Sequence, residues 1–180
     1  MSKALLLIDI QNDYFPGGKS ELVNTDKALK KAATLLGVFR DKNLPVIHVQ
    51  HISADSEAAF FLPNTAGVEI HPLLTPAPGE TIITKHLPNS FCNTNLARII
   101  KEKAISELVT CGMMTHMCID TTVRAAKDNN IPVTLISDAC ATKDLVYGGN
   151  TISAKQVSNV FFASLNHMFA TIISAEELII

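Results

Sequence analysis

ALLLIDIQNDYF, residues 4–15, opens with five apolar residues and turns polar at Asp9. A run of that length with nothing polar inside it suits a strand buried on both faces, as parallel-sheet strands are. In 25–40, Ala28, Leu29, Ala32, Ala33, Leu35, Leu36 and Phe39 recur at three- and four-residue spacing, which predicts a helix with one apolar face. Together these two segments make a βα unit, and the pattern repeats. PVIHVQ (45–50), TIIT (81–84), ELVTC (107–111), PVTLI (132–136) and FATII (169–173) read as strands. Residues 94–103, 117–129 and 152–166 carry helical periodicity between the later strands. The alternation predicts an α/β fold: a doubly wound three-layer sandwich around a mainly parallel six-stranded sheet, as a single domain over residues 1–180.

Composition agrees with a globular chain. Of the 180 residues 47% are hydrophobic and 18% charged, enough to build a core and too apolar for a solvated coil. A formal net charge of −2 excludes the clustered positive charge that nucleic acids or anionic membranes require, so neither partner is expected. Met1-Ser2-Lys3 leads straight into the first apolar run, and Asp9 arrives too early for an export signal. Asn159, Asn166, His167, Glu176 and Glu177 interrupt the apolar C-terminal stretch, which argues against a membrane span. A cytoplasmic location follows as the expectation. Cys92, Cys111, Cys118 and Cys140 form no CxxC pair and are expected to be free thiols.

In an open parallel sheet the ligand sits beyond the carboxyl ends of the strands. Polar residues just past an apolar run are therefore the candidates for chemistry. Asp9 follows ALLLI, Lys85 follows TIIT, and Cys118 lies in the turn leading from ELVTC and Gly112 into the next helix. A carboxylate, an ammonium and a thiol in one crevice form a coherent apparatus: the ammonium and a helix N-terminus lower the thiol pKa, and the carboxylate takes and returns its proton. Cys92, Cys111 and Cys140 have no such context and read as small buried hydrophobes. The long aperiodic stretch 52–79 holds four prolines and the pair Phe60-Phe61, and reads as the wall of a binding site.

Six blocks together resemble the isochorismatase-like cysteine hydrolases, a superfamily that includes nicotinamidases and N-carbamoylsarcosine amidohydrolases: LLLIDIQNDYF (5–15), PVIHVQH (45–51), GVEIHP (67–72), TKHLPNSFCNTNL (84–96), GMMTHMCIDTTVRAA (112–126) and SDACAT (137–142). The resemblance places the family's triad on Asp9, Lys85 and Cys118, its non-proline cis peptide on Met113-Met114, and its oxyanion-hole amides on Met114 and Cys118. The metal-binding Asp-x-His of nicotinamidases aligns with His51, Ile52 and Ser53, so that motif is broken and no metal or cofactor is expected. His48, His51 and His71 then read as packing and hydrogen-bonding residues around the pocket.

The resulting expectation is a hydrolase of C–N bonds in small amides, carbamoyl or ureido compounds, working through an acyl group on Cys118. Asn12, Phe15, Phe60, Phe61, Asn89 and Phe91 are the candidate substrate-binding residues. Two alternatives stand beside it: a vinyl-ether hydrolase that uses Asp9 as acid without the thiol, and a non-catalytic binding or redox-thiol member. The apolar residues from Val157 to Ile180 exceed what a small isolated domain hides, and predict a homo-oligomer.

Overall fold

The computed structural model describes residues 2–179. Its first strand, β1 (Ser2–Ile8), is buried along Ala4–Ile8, as an uninterrupted apolar run requires. Helix α1 (Thr25–Asp41), β2 (Val46–His51) and β3 (Thr81–Lys85) follow. Next come α2 (Leu96–Glu102), β4 (Ile105–Met113), α3 (Asp120–Asp128) and β5 (Val133–Ala141). A short hairpin of β6 (Leu145–Tyr147) and β7 (Asn150–Ile152) leads into α4 (Ala154–Leu165) and the last strand, β8 (Thr171–Ile173). The six-stranded sheet has the order β3-β2-β1-β4-β5-β8, and every pair in it is parallel.

The two faces of β1 explain the layers. Leu5 and Leu7 pack with Ala28, Leu29, Ala32, Leu36 and Phe39 of α1. Ala4, Leu6 and Ile8 point the other way, into a cluster holding Leu96 and Ile100 of α2, Val123 and Ala126 of α3, and Leu165 of α4. Burying one such Leu or Ile contributes about 1.5–3 kcal/mol, and truncating it to Ala costs about 2–5 kcal/mol. The chain winds outward from β1 through β2 to β3, then returns to the far side of β1 as β4. This reversal opens a crevice at the carboxyl ends of β1 and β4, the place where such sheets bind ligands. At that point Gly112 is required: a Cβ there would meet the Ile8 carbonyl oxygen at 2.0 Å.

The structure differs from the sequence reading at the ends of elements. Strands β4 and β5 run to Met113 and Ala141, well past ELVTC and PVTLI, with a register irregularity between Thr110 and Gly112. Helix α4 starts at Ala154, where Ser153 and Gln156 form a capping box. The helix read as starting at 117 begins instead as a π-helical turn over Thr115–Ile119. The hairpin escaped notice because its strands are only three residues long on either side of Gly148-Gly149. The stretch 52–79 has no strand of its own beyond the bridge of Ile70 to Gln11, and holds two short 3-10 turns at Ala66–Val68 and Pro72–Leu74. All four cysteines are free thiols. Among the described residues no helix is long and apolar enough to cross a membrane.

Candidate active site

Asp9 is the first residue after β1, and its backbone is left-handed at φ 52°. An Asp tolerates that conformation better than most side chains. Its amide is held by the Val49 carbonyl at 3.0 Å, and its carboxylate turns inward with no exposed surface. Lys85 ends β3, two strands away, and its fully buried Nζ lies 2.7 Å from Asp9 Oδ2 while donating to the Pro88 carbonyl at 2.9 Å. Burial alone would drive the proton off Lys85, but Asp9 and then Cys118 outweigh it and raise its pKa, so the ammonium stays charged. Asp9 Oδ1 has no hydrogen-bond partner among the described residues.

Cys118 is presented by the π-helical turn. The Met114 carbonyl accepts from the Met117 and Ile119 amides at 3.0 and 3.2 Å and passes over the Cys118 amide between them. Irregular turns of this kind recur at functional sites. Thr115 Oγ1 donates to the Ala141 carbonyl, and His116 Nδ1 meets Thr142 Oγ1 at 2.5 Å, which ties the turn to the end of β5. The Met113–Met114 peptide just before the turn is cis. Met114 and Cys118, the residues expected to supply oxyanion-hole amides, thus stand at the entrance and near the end of one turn.

The thiol departs from the sequence expectation. Lys85 does lower its pKa, but burial first and Asp9 second raise it well above the ordinary value. The cause is packing: Cys118 is 3% exposed inside an apolar cluster, with the Asp9 carboxylate beside it. That direction favours the protonated thiol at neutral pH.

His51, the last residue of β2, joins these groups. Its Nδ1 lies 4.0 Å from Cys118 Sγ and 3.9 Å from Asp9 Oδ2, and its side chain keeps 18% exposure. Buried Gln11 clamps its backbone from both sides: Nε2 donates to the His51 carbonyl and Oε1 accepts from the His51 amide, each at 2.8 Å. Burial above all holds the imidazole pKa below its usual value. His48 and His71 pack and hydrogen-bond: His48 bonds Glu80 at 2.8 Å in the core, and His71 sets its ring tilted against Phe15 and accepts from the Leu73 amide. His51 follows Gln50 in a run that already contains His48, so no local pattern set it apart, and only the fold brings it to Asp9 and Cys118.

Asp9, His51 and Cys118 bring ligand atoms within 4.8 Å of one another, a donor set that a transition metal could in principle use. The fit fails on charge. The Asp9 oxygen nearest His51 is already held by the Lys85 ammonium, a buried positive charge that a cation would have to approach.

The candidate wall residues separate into groups. Phe61 is buried, with its ring 5.7 Å from that of His51 and 4.6 Å from that of Tyr14, and Phe60 packs on both Tyr14 and Phe61. Tyr14 and Asp13 were missed. The Tyr14 pKa is raised by burial and then by Cys118 and Asp9, which marks it as a neighbour of the site. Asp13 is buried, and its Oδ2 accepts the Phe61 amide at 2.7 Å. Gly67 packs so tightly on that carboxylate that a Cβ would meet Oδ1 at 2.1 Å. Phe91 packs against the cluster that contains Cys118. Asn12 spends its side chain on the Ala66 carbonyl, holding the long loop; Asn89 Oδ1 accepts the Phe91 amide within its own turn; Phe15 lies in the α1-side core.

Fold and site define a class, and comparison with known proteins agrees: an isochorismatase domain matches residues 3–177, and the chain belongs to the isochorismatase-like hydrolase family. It is 50% identical over 176 residues to the uncharacterized isochorismatase family protein YddQ of Bacillus subtilis, covering 98% of each chain. The crystal structure of an isochorismatase from Pseudomonas putida KT2440 superposes with a TM-score of 0.93 at 35% identity, covering 98% of this chain and 90% of that one. Streptothricin hydrolase of Streptomyces noursei is 31% identical over 79% of this chain and 56% of its own. The nicotinamidase of Escherichia coli K12 is 25% identical over 175 residues, 77% of this chain and 82% of its own.

Proposed function

We propose that this protein hydrolyses a C–N bond of a small amide, carbamoyl or ureido compound through an acyl group carried on Cys118. The observation that carries the reading is the fully buried Asp9–Lys85 pair at 2.7 Å, with the Cys118 thiol beside it. Because the resting thiol is neutral, nucleophile and base are activated together. As a carbonyl docks, Cys118 passes its proton to Asp9 and the thiolate attacks, with the Lys85 charge stabilising the anion. The Met114 and Cys118 amides receive the oxyanion. Asp9 then hands its proton to the leaving amine, and water releases the acid. Nicotinamidase and streptothricin hydrolase among the relatives support hydrolysis of a small polar molecule. The route uses no metal.

Exposed Val146 and Tyr147 on the hairpin, Val160 on α4 and nearby Met168 support a homo-oligomer. Light scattering giving the mass of one chain at micromolar concentration would exclude it. For the activity, a screen of primary amides, carbamoyl compounds and ureido acids is read by ammonia release, with intact mass recorded in parallel. Product together with an adduct on Cys118 is expected. Product from a vinyl ether with no adduct would favour the thiol-free alternative, and neither product nor adduct would favour a binding protein.

A further inference from the structure

We propose that His51 is a catalytic residue: the base that takes the proton of the water that releases the acyl group from Cys118. The assignment rests on the acyl-enzyme reading above and adds a role for a residue outside the set Asp9, Lys85 and Cys118. Asp9 and Lys85 have no exposed side-chain surface and are bound to each other, whereas the His51 side chain keeps 18% exposure. Its Nδ1 faces both reacting partners, 4.0 Å from Sγ and 3.9 Å from the carboxylate. The residue is also built in. The paired 2.8 Å bonds from Gln11 fix its backbone, and the Phe61 ring bounds the imidazole at 5.7 Å. Burial and Lys85 keep the ring neutral near pH 7 against the opposing pull of Asp9, and a neutral imidazole is what a base must be.

The step balances. Water oxygen bonds to the acyl carbon as one water proton passes to His51. The tetrahedral intermediate collapses by breaking the C–S bond, and the thiolate leaves beside Lys85. The imidazolium returns its proton to sulfur, so thioester and water become carboxylic acid and thiol.

The Gln11 bonds engage only the His51 backbone, so His51→Gln and His51→Ala leave the clamp in place. The probe is p-nitrophenyl acetate, an activated acyl donor, read by stopped-flow absorbance and intact mass. In the parent, p-nitrophenolate should appear with continuous turnover. In His51→Gln, a burst of one equivalent should persist while the steady-state rate falls by about 10²- to 10⁴-fold and acetyl-Cys118 accumulates. The parent's steady-state rate should also decline on the acid side as His51 protonates among Asp9, Lys85, Cys118 and His86, and the Gln variant should lose that limb. A folded His51→Gln that turns over within about threefold of the parent, or one that loses the burst itself, overturns the assignment. If the parent never acylates Cys118, the covalent reading falls and this inference with it, an outcome readily told apart from failure of His51 alone.

Discussion

Strand β2 carries two histidines three residues apart, and each meets a carboxylate beside a cation, yet the two clusters differ in how fully the carboxylate is held. At His48 the carboxylate is saturated: Glu80 accepts from Arg40 at 2.7 and 2.9 Å, from the Ala77 amide at 2.8 Å and from His48 at 2.8 Å. Burial would raise its pKa, but these donors pull it down to about 2. At His51 the carboxylate is starved by comparison: Asp9 has one short contact to Lys85 and, beside it, the Cys118 thiol, whose proton it can take. Satisfied donors and acceptors fix a structure, here the segment that feeds β3. Unsatisfied ones hold free energy ready for a substrate.

The comparison is broken most directly by removing one member from each cluster. Cys118→Ala should lower hydrolysis by roughly 10³-fold or more with little change in the unfolding midpoint. Glu80→Gln should do the opposite, losing about 1–3 kcal/mol of stability in denaturant melts while turnover is largely kept. Lys85→Met should lose both activity and about 3–5 kcal/mol, because it strands a buried carboxylate. Urea titrations and turnover assays on the same preparations would show whether the effects divide this way.

Acid sharpens the contrast further. The folded-state pKa of Glu80, about 2, lies below its ordinary 4.5. Its contribution is therefore complete above about pH 4.5 and is lost as pH falls toward about 2, on the order of 3 kcal/mol in all. Stability measured across that window should fall in the parent and less in Glu80→Gln. The smallest effect is expected from chelation: prolonged treatment with EDTA should leave turnover unchanged, since Lys85 occupies the charge position that a cation would need. Loss of activity with recovery on adding zinc, manganese or iron would overturn that point.

Much of this was legible in the chain. ALLLI announced a buried strand by lacking polar residues, TIIT and ELVTC announced strands by their apolar and β-branched content, and the sheet's reversal then gathered Asp9, Lys85 and Cys118 beyond them. What stayed hidden depends on tertiary packing. Lys85 suggested an acidified thiol, but burial first and then Asp9 decide its pKa, and the depth of burial has no local signature. His51 became visible only when β2 was seen to end level with Lys85 in the register of the sheet. Nothing local marks Asp13, whose partners Phe61 and Gly67 reach it across some fifty residues of chain.

The central claim is that the starved cluster performs covalent chemistry, and rapid-quench mass spectrometry on the best substrate from the amide screen tests it most directly. The account predicts an amine or ammonia burst of one equivalent per chain, with the acyl mass on the peptide containing Cys118 and absent from Cys118→Ala. Product formation without any adduct on Cys118, at a rate that Cys118→Ala matches, would contradict it.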